Sequence, residues 1–349
     1  MSASDADNWF ETAPPQLDQQ TARAVVQANW GLDGKLSPLY AERDLNFRLD
    51  DQNQRRWLLK FSNADAAPAN LALQRRVLLH LARHAPELPV PRLHPTLSGR
   101  HYCQIQSGDQ THCVQLLSWL PGARLELAEA GSDAWARRAI GSTLATLSLA
   151  LTDCGTDGAP EDLPWDLRQL AQLAPLARAL EGNPVHALAT AALTDHQQRL
   201  LPALQQLPAQ LIHNDANPGN LLFDVKRRTL TGLFDFGDMI EAPLVCELAV
   251  ACAYLVAVND HPLKHAWELV AGWQAIRPLG SAELELLPAL IRSRILTTLL
   301  IQGWRVYRGL DPEGGLREDY EEASLRLQAL AALGEEEATE SLRAACAEG

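Results

Sequence analysis

The chain has 349 residues, is 47% hydrophobic and carries a formal net charge of -13 with a pI of about 5.2. That much apolar material builds a two-lobed folded core and excludes disorder as the default state. The acidic balance argues against nucleic acid and anionic membrane as partners, and fits either plain solubility or a cationic substrate.

In chain order, residues 1–20 are polar, contain Pro14-Pro15 and read as an arm. Residues 21–30 carry apolar positions at helical spacing and predict a short helix. Leu45, Phe47 and Leu49 alternate with Asn46, Arg48 and Asp50, which predicts a strand. Residues 50–54 turn, and 56–61 return with Trp57, Leu59 and Phe61 on one side and Leu58 and Lys60 on the other. A helix over 70–83 follows Pro68, with Leu71, Gln74, Leu78 and Leu81 in line; a glutamine in that stripe asks for a partner. Strands at 102–105 and 113–117 flank Ser107-Gly108-Asp109, and the second runs into Ser118-Trp119-Leu120-Pro121-Gly122. Helical patterns then cover 133–151, with Ser132 as N-cap, and 166–180 and 185–204. After a catalytic-looking stretch come 246–258, 263–276, a segment 281–307 interrupted by Pro288, and 316–333. Residues after Gly334 are acidic and read as a frayed tail.

The six cysteines contain no C-x-x-C and match neither a zinc site nor a disulfide frame, so they read as reduced core thiols of a cytoplasmic protein. No signal-peptide pattern opens the chain, and the longest apolar run, about 248–258, is too short to span a bilayer.

The chemistry concentrates between residues 211 and 238. Leu211 and Ile212 predict a buried strand that delivers the loop His213-Asn214-Asp215-Ala216-Asn217-Pro218-Gly219-Asn220. Residues 221–223 and 230–234 are apolar runs around Lys226-Arg227-Arg228, a hairpin pattern. With the turn centred on Arg227-Arg228, Asn220 lies opposite Asp235, Leu222 and Leu233 share one face, and Leu221 and Phe234 the other. Asp215, Asn220 and Asp235 then meet at one mouth. Magnesium takes few protein oxygens plus substrate phosphates, which suits Asn220 and Asp235 as metal holders. Asp215 is left to receive a hydroxyl proton, the division of labour in phosphoryl transfer. Asp215 also suits an Asx turn, and His213 either pins the loop or takes part in catalysis. Asp238 and Glu241 either face an ammonium-bearing substrate or are solvated. Glu247 precedes an apolar helix and favours its N-terminus. Trp165-Asp166 are candidates for the acceptor site; Arg292, Arg294 and Arg305 read as surface residues or as a carboxylate site.

His213-Asn214-Asp215 to Asn220, then Asp235-Phe236-Gly237-Asp238, resembles the aminoglycoside phosphotransferase superfamily of protein-kinase-like small-molecule kinases, over about residues 21–333. Residues 234–239, closing on Cys246-Glu247-Leu248-Ala249, and the run Ala41-Glu42-Arg43-Asp44-Leu45-Asn46-Phe47 are most similar to its hydroxylysine kinase branch. The resemblance implies an α+β, bilobal fold: arm 1–20, nucleotide-binding antiparallel-sheet lobe 21–117, mostly helical catalytic and acceptor-binding lobe 118–333, acidic tail 334–349. It implies magnesium and ATP or GTP, with Lys60 and Asn46 at the nucleotide, and Leu117 and Trp119 on the connector that meets its base. Gln74 stands where the family commonly has a glutamate paired with that lysine, and Asn214 where it usually has glycine. The implied acceptor is a small amino alcohol, hydroxylysine-like, with choline, ethanolamine, homoserine and aminoglycosides as alternatives. Rival readings are a non-catalytic nucleotide-binding member, favoured by Asn214 and Gln74, and a metal hydrolase using His213. The oligomeric state stays open.

Overall fold

The computed structural model describes residues 14–127, 133–311 and 314–347. Contacts divide the chain at Pro121/Gly122 into two compact units.

The smaller unit opens with α1 (Gln19–Trp30), N-capped by Asp18, whose carboxylate accepts from Thr21 N–H at 2.7 Å. Gly31, at φ 65°, ends it. Ala22, Val26 and Trp30 recur every fourth residue and are buried together with Leu36, Phe47, Leu49, Leu59, Phe61, Val114 and Leu116. Those residues come from an antiparallel sheet of β1 (Gly34–Leu39), β2 (Leu45–Asp51), β3 (Arg56–Phe61), β4 (Cys103–Ser107) and β5 (Gln110–Ser118), in the order β1-β2-β3-β5-β4. The sequence pattern had not predicted β1: Pro38 lacks an N–H and sits where a strand tolerates it, on the sheet edge. Asp51 fixes the turn between β2 and β3 by accepting from Asn53 N–H, Arg55 N–H and Trp57 Nε1–H. The helix α2 (Pro68–His84) starts with proline, whose missing N–H costs nothing there. Its buried stripe is Leu73, Val77, Leu78 and Leu81, not the expected line through Leu71 and Gln74. Gln74 is half-buried at the stripe's margin.

In the larger unit α3 (Ala134–Ala150) begins after Asp133; the expected cap, Ser132, lies outside the described residues. The stretch Leu167–Leu180 is a 3-10 helix rather than the α-helix anticipated. Its buried residues include Leu167, Leu170, Leu173 and Leu176, a period of three that matches three residues per turn, and Pro175 interrupts any α ladder. The anticipated single helix over 185–204 divides into α4 (His186–Asp195), a π turn His196–Leu200, and α5 (Leu201–Leu204). Pro202 explains the break, because its ring clashes with the carbonyl four residues before.

Two short ribbons carry the polar loops. β6 (Ala209–Ile212) pairs with β9 (Ile240–Pro243), and β7 (Leu221–Asp224) with β8 (Thr229–Leu233). The β7–β8 register differs from expectation: Leu221 faces Leu233 and Leu222 faces Gly232, with a shift between Leu222 and Phe223. Asp224 faces Thr229, so residues 225–228 form the turn, with Arg228 at φ 53°, and a bulge near Thr231 absorbs the odd residue. Leu221 and Leu233 are thus buried on one face, and Phe234, not Asp235, lies across from Asn220, its N–H donating to the Asn220 carbonyl at 3.1 Å.

Helices α6 (Leu244–Ala253), α7 (Lys264–Gln274), α8 (Ser281–Tyr307), α9 (Gly315–Leu333) and α10 (Glu335–Ala347) complete the unit. Pro288 does not interrupt α8, which runs unbroken for 27 residues. Proline removes one backbone bond, and the heavily buried surface of α8 outweighs it. Gly141 and Gly272 let α3 and α7 touch backbone to backbone: a Cβ on either would lie 1.9 Å from Leu269 O or 2.1 Å from Arg138 O. The expected frayed tail instead forms α10. It buries Ala338 and Leu342, takes a hydrogen bond from Trp267 Nε1 to Ser341 Oγ at 2.8 Å, and ties Glu335 to Arg199 and Arg292. Its glutamates sit at the N-terminal end, where the helix dipole favours them. No helix among the described residues is long and apolar enough to cross a membrane.

Candidate active site

In the smaller unit, register alone aligns three polar side chains. Asn46 faces Lys60 across β2 and β3, and Lys60 faces Gln115 across β3 and β5. Directly opposite residues share a face, so Asn46, Lys60 and Gln115 form one row. Asn46 Oδ1 and Gln115 Nε2 are buried without a hydrogen-bond partner, an acceptor and a donor either side of the ammonium. Lys60 Nζ lies 2.8 Å from Asp44 Oδ2. Asp44 is itself held, its Oδ1 accepting from Asn63 N–H at 2.9 Å, while Asn63 Nδ2 donates to the Arg43 carbonyl at 3.0 Å. The expected lysine partner is therefore corrected: Gln74 donates to Asn70 Oδ1 at 3.0 Å, and a carboxylate from the loop before β2 pairs with Lys60. Leu117 is buried opposite Leu58, and the Arg48 guanidinium lies 5.9 Å from the Trp119 ring.

In the larger unit β6 hands the chain to a loop whose backbone is held from α6. Glu247 Oε2 accepts from His213 N–H at 2.6 Å and from Asn214 N–H at 3.4 Å. Burial pushes the Glu247 carboxyl up to about 7, and those two amides oppose the shift. Its sequence position suggested only a helix-dipole role; the fold turns it into the loop's clamp. Asn214 is left-handed, φ 63°, the conformation that lets asparagine stand in for glycine. His213 is fully buried, its Nδ1 accepting from Asp215 N–H at 3.2 Å and its ring edge-on to Phe236 at 4.7 Å. Burial lowers its pKa to about 4, so it is neutral at pH 7. These contacts fit the reading in which His213 pins the loop.

Asp215 sits between two amides. Asn217 Nδ2 donates to its Oδ1 at 2.8 Å and Asn220 Nδ2 to its Oδ2 at 2.7 Å. The carboxylate keeps 19% side-chain exposure, and Arg294 NH2 lies 3.8 Å from Oδ1. Burial and then the Asp238 charge raise its pKa above the carboxylate range; Arg294 counteracts, Asp235 adds to the rise, and the Asn217 amide lowers it. A divalent cation beside these carboxylates would supply the missing opposite charge.

The donor set suits magnesium. Among the described residues no cluster of three His, Cys, Asp or Glu side chains forms a protein-only cage. Asn220 spends Nδ2 on Asp215, which leaves Oδ1 for a cation. Asp235 is exposed at φ 65° and accepts from Gly237 N–H at 3.3 Å. Two oxygens completed by phosphates and water is how magnesium is usually held. Asp238 is half-buried after the turn, whereas Glu241 is exposed on β9 opposite Leu211. Asp166, a candidate for the acceptor site, is fully buried, pairs with Arg168 at 2.7 Å and caps the 3-10 helix.

The surface reading fails for Arg294 and Arg305, which are buried, while Arg292 is half-buried in a partly exposed network. Arg292 joins the Asp195–Glu335 network, Arg305 is buried with NH1 donating to Gln302 Oε1 at 3.3 Å, and Arg294 is buried beside Asp215. Sequence reading also passed over Asp44, Gln115 and Asn217. Asn217 carried a signal, since an asparagine before Pro-Gly suits the cap of a short helical turn, which it forms by accepting from Gly219 N–H at 2.7 Å.

The model of the Phosphotransferase enzyme family matches residues 38–279. Hydroxylysine kinase of Danio rerio is 26% identical over 342 residues, which cover 93% of this chain and 94% of the relative. Among solved structures, a microcompartment-associated aminopropanol kinase aligns with a TM-score of 0.68 at 20% identity, covering 94% of this chain and 98% of the other. An amicoumacin kinase solved with AMP-PNP and Ca2+ aligns with a TM-score of 0.68 at 13% identity, covering 91% and 95%. These likenesses are to the bilobal protein-kinase-like fold, an α+β arrangement of antiparallel sheet and helical part.

Proposed function

Because the chain belongs to the phosphotransferase enzyme family, we propose that it is a magnesium-dependent kinase that moves the terminal phosphate of ATP or GTP to the hydroxyl of a small amine-bearing acceptor, hydroxylysine-like in character. The observation that carries this reading is Asp215: a partly exposed carboxylate clamped between Asn217 and Asn220, on a loop whose backbone Glu247 holds. Asp215 takes the proton from the acceptor hydroxyl. That oxygen bonds to the terminal phosphorus as the bond to the bridging oxygen breaks, and the nucleoside diphosphate leaves with the electron pair. Alignment and charge neutralisation contribute most of the rate, and proton abstraction less.

Asn220 and Asp235 would hold magnesium, which neutralises phosphate charge when bound. Lys60, fixed by Asp44 and flanked by Asn46 and Gln115, offers a cation, an acceptor and a donor for the nucleotide, with Leu117 and Trp119 near its base. Asp238 is the carboxylate for the acceptor's ammonium; Glu241 is a weaker candidate, given its exposure on a paired strand. Cysteines outside any disulfide, five of them buried, suit a reducing cytoplasmic setting. The test is nucleotide consumption with ATP and with GTP against a panel of hydroxylated amines, with the product's mass determined. Hydroxylysine should turn over with magnesium and gain one phosphoryl group. No turnover of any amine with either nucleotide would overturn the reading.

A further inference from the structure

Arg294 is a buried cation whose own hydrogen bonds go to neutral oxygens. It projects from α8 with 3% of its side chain exposed. NH1 donates to the Trp165 carbonyl at 3.3 Å and NH2 to the Tyr254 hydroxyl at 3.1 Å, both neutral oxygens. The guanidinium lies 4.7 Å from the Trp165 ring centre. The carboxylate beside it, Asp215, is 3.8 Å away and already bonded to two amides, and Nε is buried with no partner. Burying a guanidinium in this way is costly unless something completes its charge and its donors.

We propose that Arg294, framed by Trp165 and Tyr254, receives the carboxylate of the acceptor, so that the substrate class is a hydroxy amino acid rather than a simple amino alcohol. The inference rests on the kinase reading above and deepens it. A planar guanidinium matches a carboxylate in a way a lysine cannot, and an aromatic ring fixes its plane. Trp165 and Tyr254 are half-buried and Asp215 is partly exposed, so the edge of this group is within reach of a ligand. An acceptor with its hydroxyl at Asp215 and a carboxylate a few bonds away would span from the base to Arg294, leaving its ammonium for Asp238. A structural role, in which Arg294 only balances Asp215 and Asp238, is the competing account, and the two differ in what they do to matched acceptors.

The experiment compares hydroxylysine with its decarboxylated amino alcohol, and homoserine with aminopropanol, on the full-length protein and on Arg294→Lys. The wild type should prefer each amino acid over its carboxyl-free counterpart by at least about tenfold in kcat/KM, as loss of one charge-assisted contact predicts. In Arg294→Lys the KM for the amino acids should rise by a similar factor while the KM for amino alcohol and nucleotide stays within about twofold. The methyl ester of the amino acid, tested on the wild type, should behave like the amino alcohol even if the variant fails to fold. Equal use of acid, ester and amino alcohol by the wild type overturns the proposal and leaves the kinase reading standing. A fall in kcat with every acceptor at unchanged KM also overturns it, assigning Arg294 to Asp215 alone. Absence of turnover with any hydroxylated amine overturns both.

Discussion

The two polar centres hold their charges in opposite ways. Lys60 is paired at 2.8 Å with a carboxylate from its own hairpin region, and strand register puts its amide neighbours in place. Asp215 has two neutral amides at hydrogen-bond distance and its cation only at 3.8 Å, on a loop held through its backbone by Glu247. A charge fixed by an ion pair tolerates small backbone shifts, because the attraction falls slowly with distance. A charge fixed by hydrogen bonds does not, because these weaken steeply with angle. The catalytic loop should therefore be the more sensitive of the two to substitutions that never touch substrate.

The largest effect expected is at the proposed base. Asp215→Asn should lower kcat by about a thousandfold or more, roughly 4 kcal/mol in barrier, while melting temperature and nucleotide affinity change little. Undiminished turnover would remove the assignment. Glu247→Ala should cost about 3 kcal/mol of stability in urea unfolding, because two buried amides lose their acceptor. Glu247→Gln, which keeps an acceptor without the charge that burial penalises, should cost about 1 kcal/mol or less. Equal losses in the two variants would mean the clamp is not what holds the loop.

Acid should distinguish the units as well. His196 is buried, its Nδ1 2.9 Å from Ser293 Oγ, and burial pushes its pKa down from 6.5 to about 4. The unfolded chain then binds the proton first, so stability falls as pH drops through 6.5 and continues to fall until about 4. Buried His213 contributes a fall of the same sign, so His196→Gln should shrink the acid loss by up to about 3 kcal/mol without abolishing it when unfolding is followed against pH.

A smaller effect is expected in the other unit. Asp44→Ala should raise the nucleotide KM about tenfold, near 1.4 kcal/mol, with acceptor KM unchanged, whereas Gln74→Ala should leave both alone. Reversal of those two outcomes would restore Gln74 as the lysine's partner. The smallest change has the opposite sign. Asn214 is left-handed and its side-chain Nδ2 and Oδ1 are buried without partners, so Asn214→Gly should stabilise by about 1 kcal/mol with turnover retained.

Much of this was legible in local pattern. Alternation in 45–49 and 56–61 predicted β2 and β3, and helical periodicity predicted most of the larger unit. The leucines of the 3-10 helix show a visible period of three, read too readily as an α-helix. Motif spacing pointed to Asp215 and Asn220, which the fold does bring within 2.7 Å. The hairpin register was out of reach, because the turn spans residues 225–228 and is centred one residue before Arg227-Arg228, and the bulge near Thr231 brings the pairings only part of the way back.

Sequence by itself determined which groups the proposed chemistry draws on: His213 to Asn220, then Asp235 to Asp238, are short-range patterns whose residue types that reaction requires. Tertiary structure alone decided their partners. Asp44 reaches Lys60 from the loop before β2, Glu247 reaches the loop at His213 from the next helix, and Arg294 approaches Asp215 from a helix 79 positions further along the chain. Partners like these are chosen by burial: a charge or amide removed from water must find its complement among whatever packing places nearby, and chain order does not record that neighbourhood.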